Sequence, residues 1–247
     1  MKDIVILAVV QGICEWFPIS SSGHLFIIRK LIGLKPNISF DIFLHFSSLL
    51  TIIIFFRKEI LKLINVFYSF DKNNPYFKRL IYIISATFIT GLLGLFLKNK
   101  EELLENKIFV SSGLLFTTIL LFLSDRKNGR EINLRDAFLI GFFQGISLIP
   151  GISRSGSTIS ISKIIGIKNE DAFNFSFLIA IPAILGAVII KLNEIKVIKF
   201  SFLITGFFVS LITSLITLYI LKKILFKGNF KYFGIYTFFV FILSLFI

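Results

Sequence analysis

Apolar blocks follow one another through this chain from Ile4 to Ile247, with no polar stretch between them long enough to form a soluble module. Six of them, at 39–56, 80–97, 108–123, 172–190, 201–222 and 231–247, approach the roughly 20 residues that carry a helix across a hydrocarbon core. A chain patterned in this way has the bilayer as its solvent. Composition agrees: 55% of the 247 residues are hydrophobic and 17% are charged, where a soluble domain carries about 25%. The expectation is an all-α polytopic membrane protein in which residues 1–247 form a single integral membrane domain.

Lysine and arginine outnumber the acids by 27 to 14, a formal charge of +13. The basic residues sit between apolar blocks, as in Arg57-Lys58, Lys78-Arg79, Arg126-Lys127 and Lys222-Lys223. There they meet membrane lipids with anionic headgroups, so no nucleic-acid partner is expected. The single cysteine, Cys14, excludes an intrachain disulfide and reads as a small apolar residue. Lys2 ahead of the apolar run Ile4 to Val10 has the outline of a signal peptide. The run is short, however, Asp3 spoils its basic flank, and Gln11 and Glu15 interrupt its continuation, so the segment is expected to stay in the mature protein.

Two further apolar regions are broken in the middle. Region 4–33 is interrupted at Pro18 and Ser20-Ser21-Ser22-Gly23, and region 137–167 at Pro150-Gly151 and Ser153-Arg154-Ser155-Gly156. Neither half of either region is long enough to span, and irregular backbone at membrane depth must be buried in protein or line a cavity. Both read as re-entrant helical hairpins. They also match each other: Gln11-Gly12-Ile13 against Gln144-Gly145-Ile146, and Ser20-x-Ser22-Gly23 against Ser153-x-Ser155-Gly156, each displaced by 133 residues. One hairpin followed by three crossings, twice over, gives two inverted repeats at approximately 1–123 and 137–247, the plan of many transport folds. The expected fold is therefore six transmembrane helices plus two re-entrant hairpins.

With that topology, one side carries ten basic residues: Lys2, Arg29, Lys30, Lys35, Lys98, Lys100, Lys107, Lys191, Lys196 and Lys199. The other carries sixteen, among them Lys163 and the four basic pairs named above. The positive-inside rule places the richer side in the cytoplasm and both termini outside.

Polar groups inside such segments are costly and point to function. Gln11 and Glu15, spaced i, i+4, share one face of the first half-helix. Gln11 suits an inter-helix hydrogen bond or a substrate contact, whereas an ionised Glu15 at that depth needs a cation. Ser20, Ser21, Ser22 and Gly23 are suited to opening the second half-helix, and a helix N-terminus with free N–H groups and hydroxyls receives anions, phosphate above all. Ser153, Ser155, Gly156, Ser157 and Thr158 repeat that device, and Arg154 adds a guanidinium that requires Glu15 or a phosphate as its partner. His24 lies three residues beyond Ser21, within reach of its hydroxyl on a helical turn, the proximity that acid–base or nucleophilic chemistry needs. Asp41 reads as a helix-start residue and His45, four residues on, as a supporting hydrogen-bonder.

The stretches Gln11-Gly12-Ile13-Cys14-Glu15-Trp16-Phe17-Pro18-Ile19-Ser20-Ser21-Ser22-Gly23-His24 and Pro150-Gly151-Ile152-Ser153-Arg154-Ser155-Gly156-Ser157-Thr158 closely resemble the two signatures of the undecaprenyl-diphosphatase family of the bacitracin-resistance type. The resemblance continues through Asp136 to Gly141 and Phe175 to Pro182 and covers essentially the whole chain. It implies a hydrolase that converts the polyprenyl diphosphate lipid carrier to its monophosphate, recycling it for peptidoglycan synthesis in the plasma (inner) membrane of a bacterium. The site would open to the outer face and use a divalent cation, Mg2+ or Ca2+. Carried onto this chain, the catalytic residues are Glu15, Ser21, His24 and Arg154, with Glu15 also the metal ligand. The substrate-binding residues are Gln11, Ser20, Ser22, Gly23, Ser153, Ser155, Gly156, Ser157 and Thr158. Gln11 stands where the family's first acid can stand, which leaves one carboxylate for a cation that keeps its waters and shares substrate phosphates. The nucleophile, Ser21, His24 or water, and the base, His24 or Glu15, stay open, as does a homodimer.

Two rival readings are a lipid carrier, which the broken helices would equally suit, and a phosphatase of the phosphatidic-acid type. The second requires a histidine shortly after Ser153-Arg154, and Ser155 to Ser160 contain none.

Overall fold

The computed structural model describes residues 1–34, 38–97, 106–124, 129–191, 199–228 and 230–247. Lys35, Lys98, Lys100, Arg126, Lys127 and Lys196, all used to orient the chain, lie outside the described residues. Among those described there are eleven helices and no strand beyond a single bridge between Arg130 and Ile167. In chain order they are α1 (Lys2–Cys14), α2 (Ser21–Ile32), α3 (Ile38–Phe55), α4 (Arg57–Ser69), α5 (Pro75–Leu97), α6 (Lys107–Leu123), α7 (Leu134–Ile146), α8 (Arg154–Ile164), α9 (Asn169–Lys191), α10 (Phe200–Lys227) and α11 (Lys231–Ser244).

Helices α5, α9 and α10 are long and apolar enough to cross a membrane. A fourth span arises if α3 and α4, bent by 81° at their junction, are taken together, and α6 and α11 are shorter apolar helices. Large side chains such as Phe88, Leu95, Phe208 and Phe239 stand more than half exposed on these helices, the surface that hydrocarbon would cover.

Both broken regions fold as two short helices around a polar turn, α1 with α2 and α7 with α8. At 11 to 13 residues, each half is about 17–20 Å long, short of the hydrocarbon core.

Small residues let the first half-helices dock tightly. A Cβ on Gly12 of α1 would lie 1.9 Å from Thr213 Oγ1 and 2.8 Å from the Ser210 carbonyl of α10. On α7, a Cβ on Gly141 would meet the Ala86 carbonyl of α5 at 2.5 Å. Close backbone approach of this kind replaces the hydrophobic drive that lipid removes. Hydroxyl pairs add interhelical bonds: Ser47 to Ser210 at 2.8 Å, Thr118 to Thr237 at 2.9 Å, and Ser111 with Ser244 at 2.7 Å. The buried core centres on Trp16, Phe56, Phe173 and Phe177.

Two expectations change. The segment after residue 56, read only as a basic link between apolar blocks, contains α4, on which Leu63 and Val66 are buried while Arg57, Lys58 and Lys62 are exposed. Lys163, counted with the basic residues of the richer side and there expected at the headgroups, is 1% exposed in the last turn of α8, its ammonium 5.1 Å from the Phe230 ring centroid.

Helix α7 opens with a capping box in which Asn133 receives the Asp136 N–H and Asp136 receives that of Asn133. Arg130 clasps the same carboxylate through both terminal nitrogens, at 2.6 and 2.8 Å. Asn133→Ala is expected to raise hydrogen exchange of the first-turn amides by about fivefold, the equivalent of about 1 kcal/mol of cap. Mass-resolved exchange over 134–137 measures it, and unchanged rates would mean that Arg130 alone holds the turn.

Candidate active site

Pro18 lacks the N–H that would continue α1, and the chain turns through Glu15 to Ser20 before α2 begins. Ser20 caps α2, its hydroxyl accepting from Gly23 N–H at 3.2 Å. Its backbone has φ 69°, a left-handed conformation that costs a non-glycine residue about 1–3 kcal/mol and persists where the surroundings enforce it. The second turn repeats the cap: Ser153 accepts from Gly156 N–H at 3.0 Å. Ser20 and Ser22 hydroxyls lie 3.3 Å apart, and Ser153 and Ser155 hydroxyls 3.4 Å apart.

The turns are also stitched to each other. Gly151 N–H donates to Ser22 Oγ at 3.2 Å, and Ser155 Oγ donates to the Phe17 carbonyl at 3.3 Å. Thr117 of α6 braces the second turn, accepting from Ser153 N–H at 2.9 Å and donating to the Gly151 carbonyl at 3.2 Å. Two helix N-termini thus lie side by side, each with first-turn N–H groups that its own helix does not satisfy.

Glu15 and Arg154 meet there. Arg154 Nη2 donates to Glu15 Oε1 at 2.9 Å, with the carboxylate side chain 8% and the guanidinium 14% exposed. Ser21 Oγ donates to Glu15 Oε2 at 2.7 Å and Gln11 Nε2 to the same oxygen at 3.2 Å. The guanidinium lies 5.5 Å from the Trp16 ring centroid and 5.8 Å from that of Phe177, aromatic faces that orient it. Among the described residues three buried polar atoms around this cluster have no hydrogen-bond partner, Arg154 Nη1, Gln11 Oε1 and Trp16 Nε1. A free guanidinium nitrogen on one side and a free carbonyl oxygen on the other suit an anion with its counter-cation.

The geometry brings Gln11, Glu15, Ser21 and Arg154 into contact and sets Ser20, Ser22, Gly23, Ser153, Ser155 and Gly156 around them as caps and stitches. It does not join His24 to Ser21. The imidazole turns away, Nδ1 to the Ser20 carbonyl at 2.7 Å and Nε2 to the Tyr236 hydroxyl at 2.9 Å. Thr158 faces its own helix and α9, donating to the Arg154 carbonyl at 2.9 Å and pairing with Ser176, while Ser157 Oγ is buried without a partner. Asp41 stands in the first turn of α3, where it pairs with Arg29. Trp16, Phe177, Thr117 and Tyr236 belong to the site without having been expected there. Trp16 was signalled by its place beside Glu15, whereas nothing local marks Tyr236, 212 residues from its partner.

For a divalent cation the donor set is sparse. Among the described residues no three His, Cys, Asp or Glu side chains cluster. The hard oxygens in place are the Glu15 carboxylate, already paired with Arg154, and the partnerless Gln11 Oε1. That set fits a cation completed by water and substrate phosphate, the habit of Mg2+, and does not fit an all-protein cage.

Apolar helices, two broken regions, and a buried ion pair beside the N-termini of α2 and α8 make this a helical membrane protein with a charged cluster held between discontinuous helices. The chain belongs to the bacitracin resistance protein BacA family, whose model matches residues 4–243. It is 38% identical over 245 residues to a Thermosipho melanesiensis protein named undecaprenyl-diphosphatase, covering 97% of this chain and 96% of that one. Proteins of the same name from Methanococcus vannielii, 34% identical over 240 residues with 95% of both chains covered, and Thermosipho africanus, 36% identical over 248 residues with 98% of both, are equally collinear with it.

Proposed function

We propose that this chain hydrolyses undecaprenyl diphosphate to undecaprenyl phosphate and inorganic phosphate. The observation that carries the reading is the buried Glu15–Arg154 pair, with Ser21 on the same carboxylate, set between two capped helix N-termini. The relatives' shared name supplies the substrate.

Phosphoryl transfer asks for positioning and charge neutralisation more than covalent assistance. Arg154, through its partnerless Nη1, and the N–H groups opening α2 and α8 receive the diphosphate. As Arg154 turns to phosphate, Glu15 loses its counter-charge and becomes free to accept a proton. Ser21, whose hydroxyl already points at Glu15 Oε2, attacks the terminal phosphorus. Its proton passes to Glu15, the bond from that phosphorus to the bridging oxygen breaks, and the lipid monophosphate leaves with the bond's electron pair. Water then attacks the phosphoserine phosphorus, the bond from that phosphorus to Ser21 Oγ breaks with its electron pair going to Oγ, Glu15 returns its proton to Oγ, and the phosphoryl group leaves with the water's oxygen and protons as dihydrogen phosphate. A Mg2+ or Ca2+ ion held by Glu15 and Gln11 Oε1 would neutralise phosphate charge.

The surrounding architecture accords with the same reading: six crossings and two re-entrant hairpins in two inverted repeats, with α6 and α11 completing the crossings. Support comes from the reciprocal stitching of turns 133 residues apart and from the contact of Ser111 with Ser244, again 133 apart, as on a two-fold axis. The termini and site face outside a bacterial plasma membrane, where carrier recycling serves peptidoglycan synthesis and raises resistance to bacitracin.

The test is phosphate release from undecaprenyl diphosphate by purified protein in detergent, with Mg2+ or Ca2+ and with EDTA. Wild type is expected to need the cation, and Glu15→Ala and Arg154→Ala to lose about a thousandfold or more in kcat/KM, as removal of a phosphoryl-binding arginine does. No release from folded wild type would sink the enzyme and favour a lipid carrier.

A further inference from the structure

His24 is held at both ring nitrogens, and the two holds differ in kind. The Ser20 carbonyl, 2.7 Å from Nδ1, can only accept, so Nδ1 carries the proton. In the neutral ring Nε2 is then a bare lone pair, and the Tyr236 hydroxyl stands 2.9 Å from it. The two rings lie 8° from parallel with centroids 5.6 Å apart. The histidine is buried, whereas Tyr236 is 46% exposed on a face of α11 that also carries Tyr232 and Phe239. The phenol therefore stands where buried site meets lipid-facing surface, over the one imidazole nitrogen with a free electron pair.

We propose that Tyr236 is a positioning residue for the phosphatase reaction: its hydroxyl donates to Nε2, holds His24 as the Nδ1–H tautomer and so keeps Nδ1–H on the Ser20 carbonyl, which fixes the turn that opens α2 toward the site. The proposal rests on the diphosphatase reading above. A free imidazole prefers its proton on Nε2, so this tautomer needs enforcement, and Ser20 and Tyr236 supply it from opposite edges. A phenol suits the task because it donates to neutral imidazole and accepts from imidazolium, so the contact survives a proton arriving from substrate or product. Ser20 pins the other edge from a backbone that no ordinary serine adopts, φ 69°.

Tyr236→Phe keeps the stacked ring and deletes the donor. Protein labelled with 15N-histidine, its His24 signals assigned by their loss in His24→Gln, is expected to show Nδ1 protonated and Nε2 bare, with Nε2 moving toward the unbonded position in Tyr236→Phe. In the phosphate-release assay the same variant is expected to lose about tenfold in kcat with KM within twofold, the scale of losing an orienting partner. A protonated Nε2 in the neutral wild type, an Nε2 signal indifferent to the substitution, or unchanged kcat would each overturn the proposal. Wild type that releases no phosphate while Nε2 still responds to Tyr236→Phe would overturn the reaction and not the contact, so the two failures are distinguishable.

Discussion

Glu15→Ala and Arg154→Ala are each expected to destabilise the protein by about 3–5 kcal/mol, and the double replacement by much less than their sum. Both groups are nearly inaccessible, so removing one leaves the other buried without its counter-charge. Removing both deletes the unpaired charge along with the pair, and only hydrogen bonds to Ser21 and Gln11 and the cation–π contacts to Trp16 and Phe177 are lost with it. A double-mutant cycle on thermal or denaturant unfolding in detergent should therefore give a coupling of about 2 kcal/mol or more. Additivity within about 0.5 kcal/mol would show that the pair is not formed in the folded protein. None of the three variants should release phosphate. That separates the stability of the site, which the double variant largely recovers, from its chemistry, which it does not.

The second large effect falls on a residue with no side chain. Gly151→Ala is expected to cost the second turn its shape and the protein its activity, because a Cβ there would sit 2.1 Å from the Val110 carbonyl oxygen on a backbone at φ +90°. The obstacle is backbone and cannot rotate aside, and the conformation itself is one that only glycine adopts without strain. The turn also brings Gly151 N–H to Ser22 and its carbonyl to Thr117, so displacing it unpicks the stitch between the two helix N-termini. Activity should fall below about 1% of wild type, with stability reduced by about 3 kcal/mol or more, as large strain and clash at a special backbone position do. Gly91→Ala on α5, where among the described residues nothing beyond its chain neighbours and its own helix backbone lies within 4 Å of the added methyl, is the matched control and should match wild type or gain up to about 1 kcal/mol. Equal behaviour of the two alanine variants would refute the packing of this turn on α6.

Helical character, the broken regions and the polar cluster were legible because each leaves a local trace. Blocks of apolar residues announce the long helices, Pro18 and Pro150-Gly151 announce the breaks, and Ser20 and Ser153 take the capping positions that their residue type and the following glycine suggest. For Arg154 the sequence left two partners open, Glu15 and a phosphate, since a buried cation needs an anion, and the structure pairs it with Glu15. What stayed hidden depends on tertiary contact. The turn of His24 away from Ser21 is set by the Ser20 carbonyl and by a phenol on α11, neither of which spacing along α2 can reveal. Helix α4 was hidden for another reason: its charged residues outweigh its two inward-facing ones, Leu63 and Val66, when composition is averaged and periodicity is not. Lys163 shows the converse, a charge counted as surface that is buried beside Phe230.

The stitch between the turns bears on how such a chain can be made. Ser22 waits for Gly151 and Phe17 for Ser155, so the first hairpin leaves the ribosome long before the partners that close it exist. At ordinary synthesis rates of about 5–20 residues per second the interval is on the order of ten seconds. Throughout it, Glu15 and the serines beside it have to be sheltered by water, by the insertion machinery or by provisional contacts within the half already made. The pocket is thus completed only late in biogenesis, and a change that slows delivery of the second half would be felt as loss of protein before it was felt as loss of catalysis.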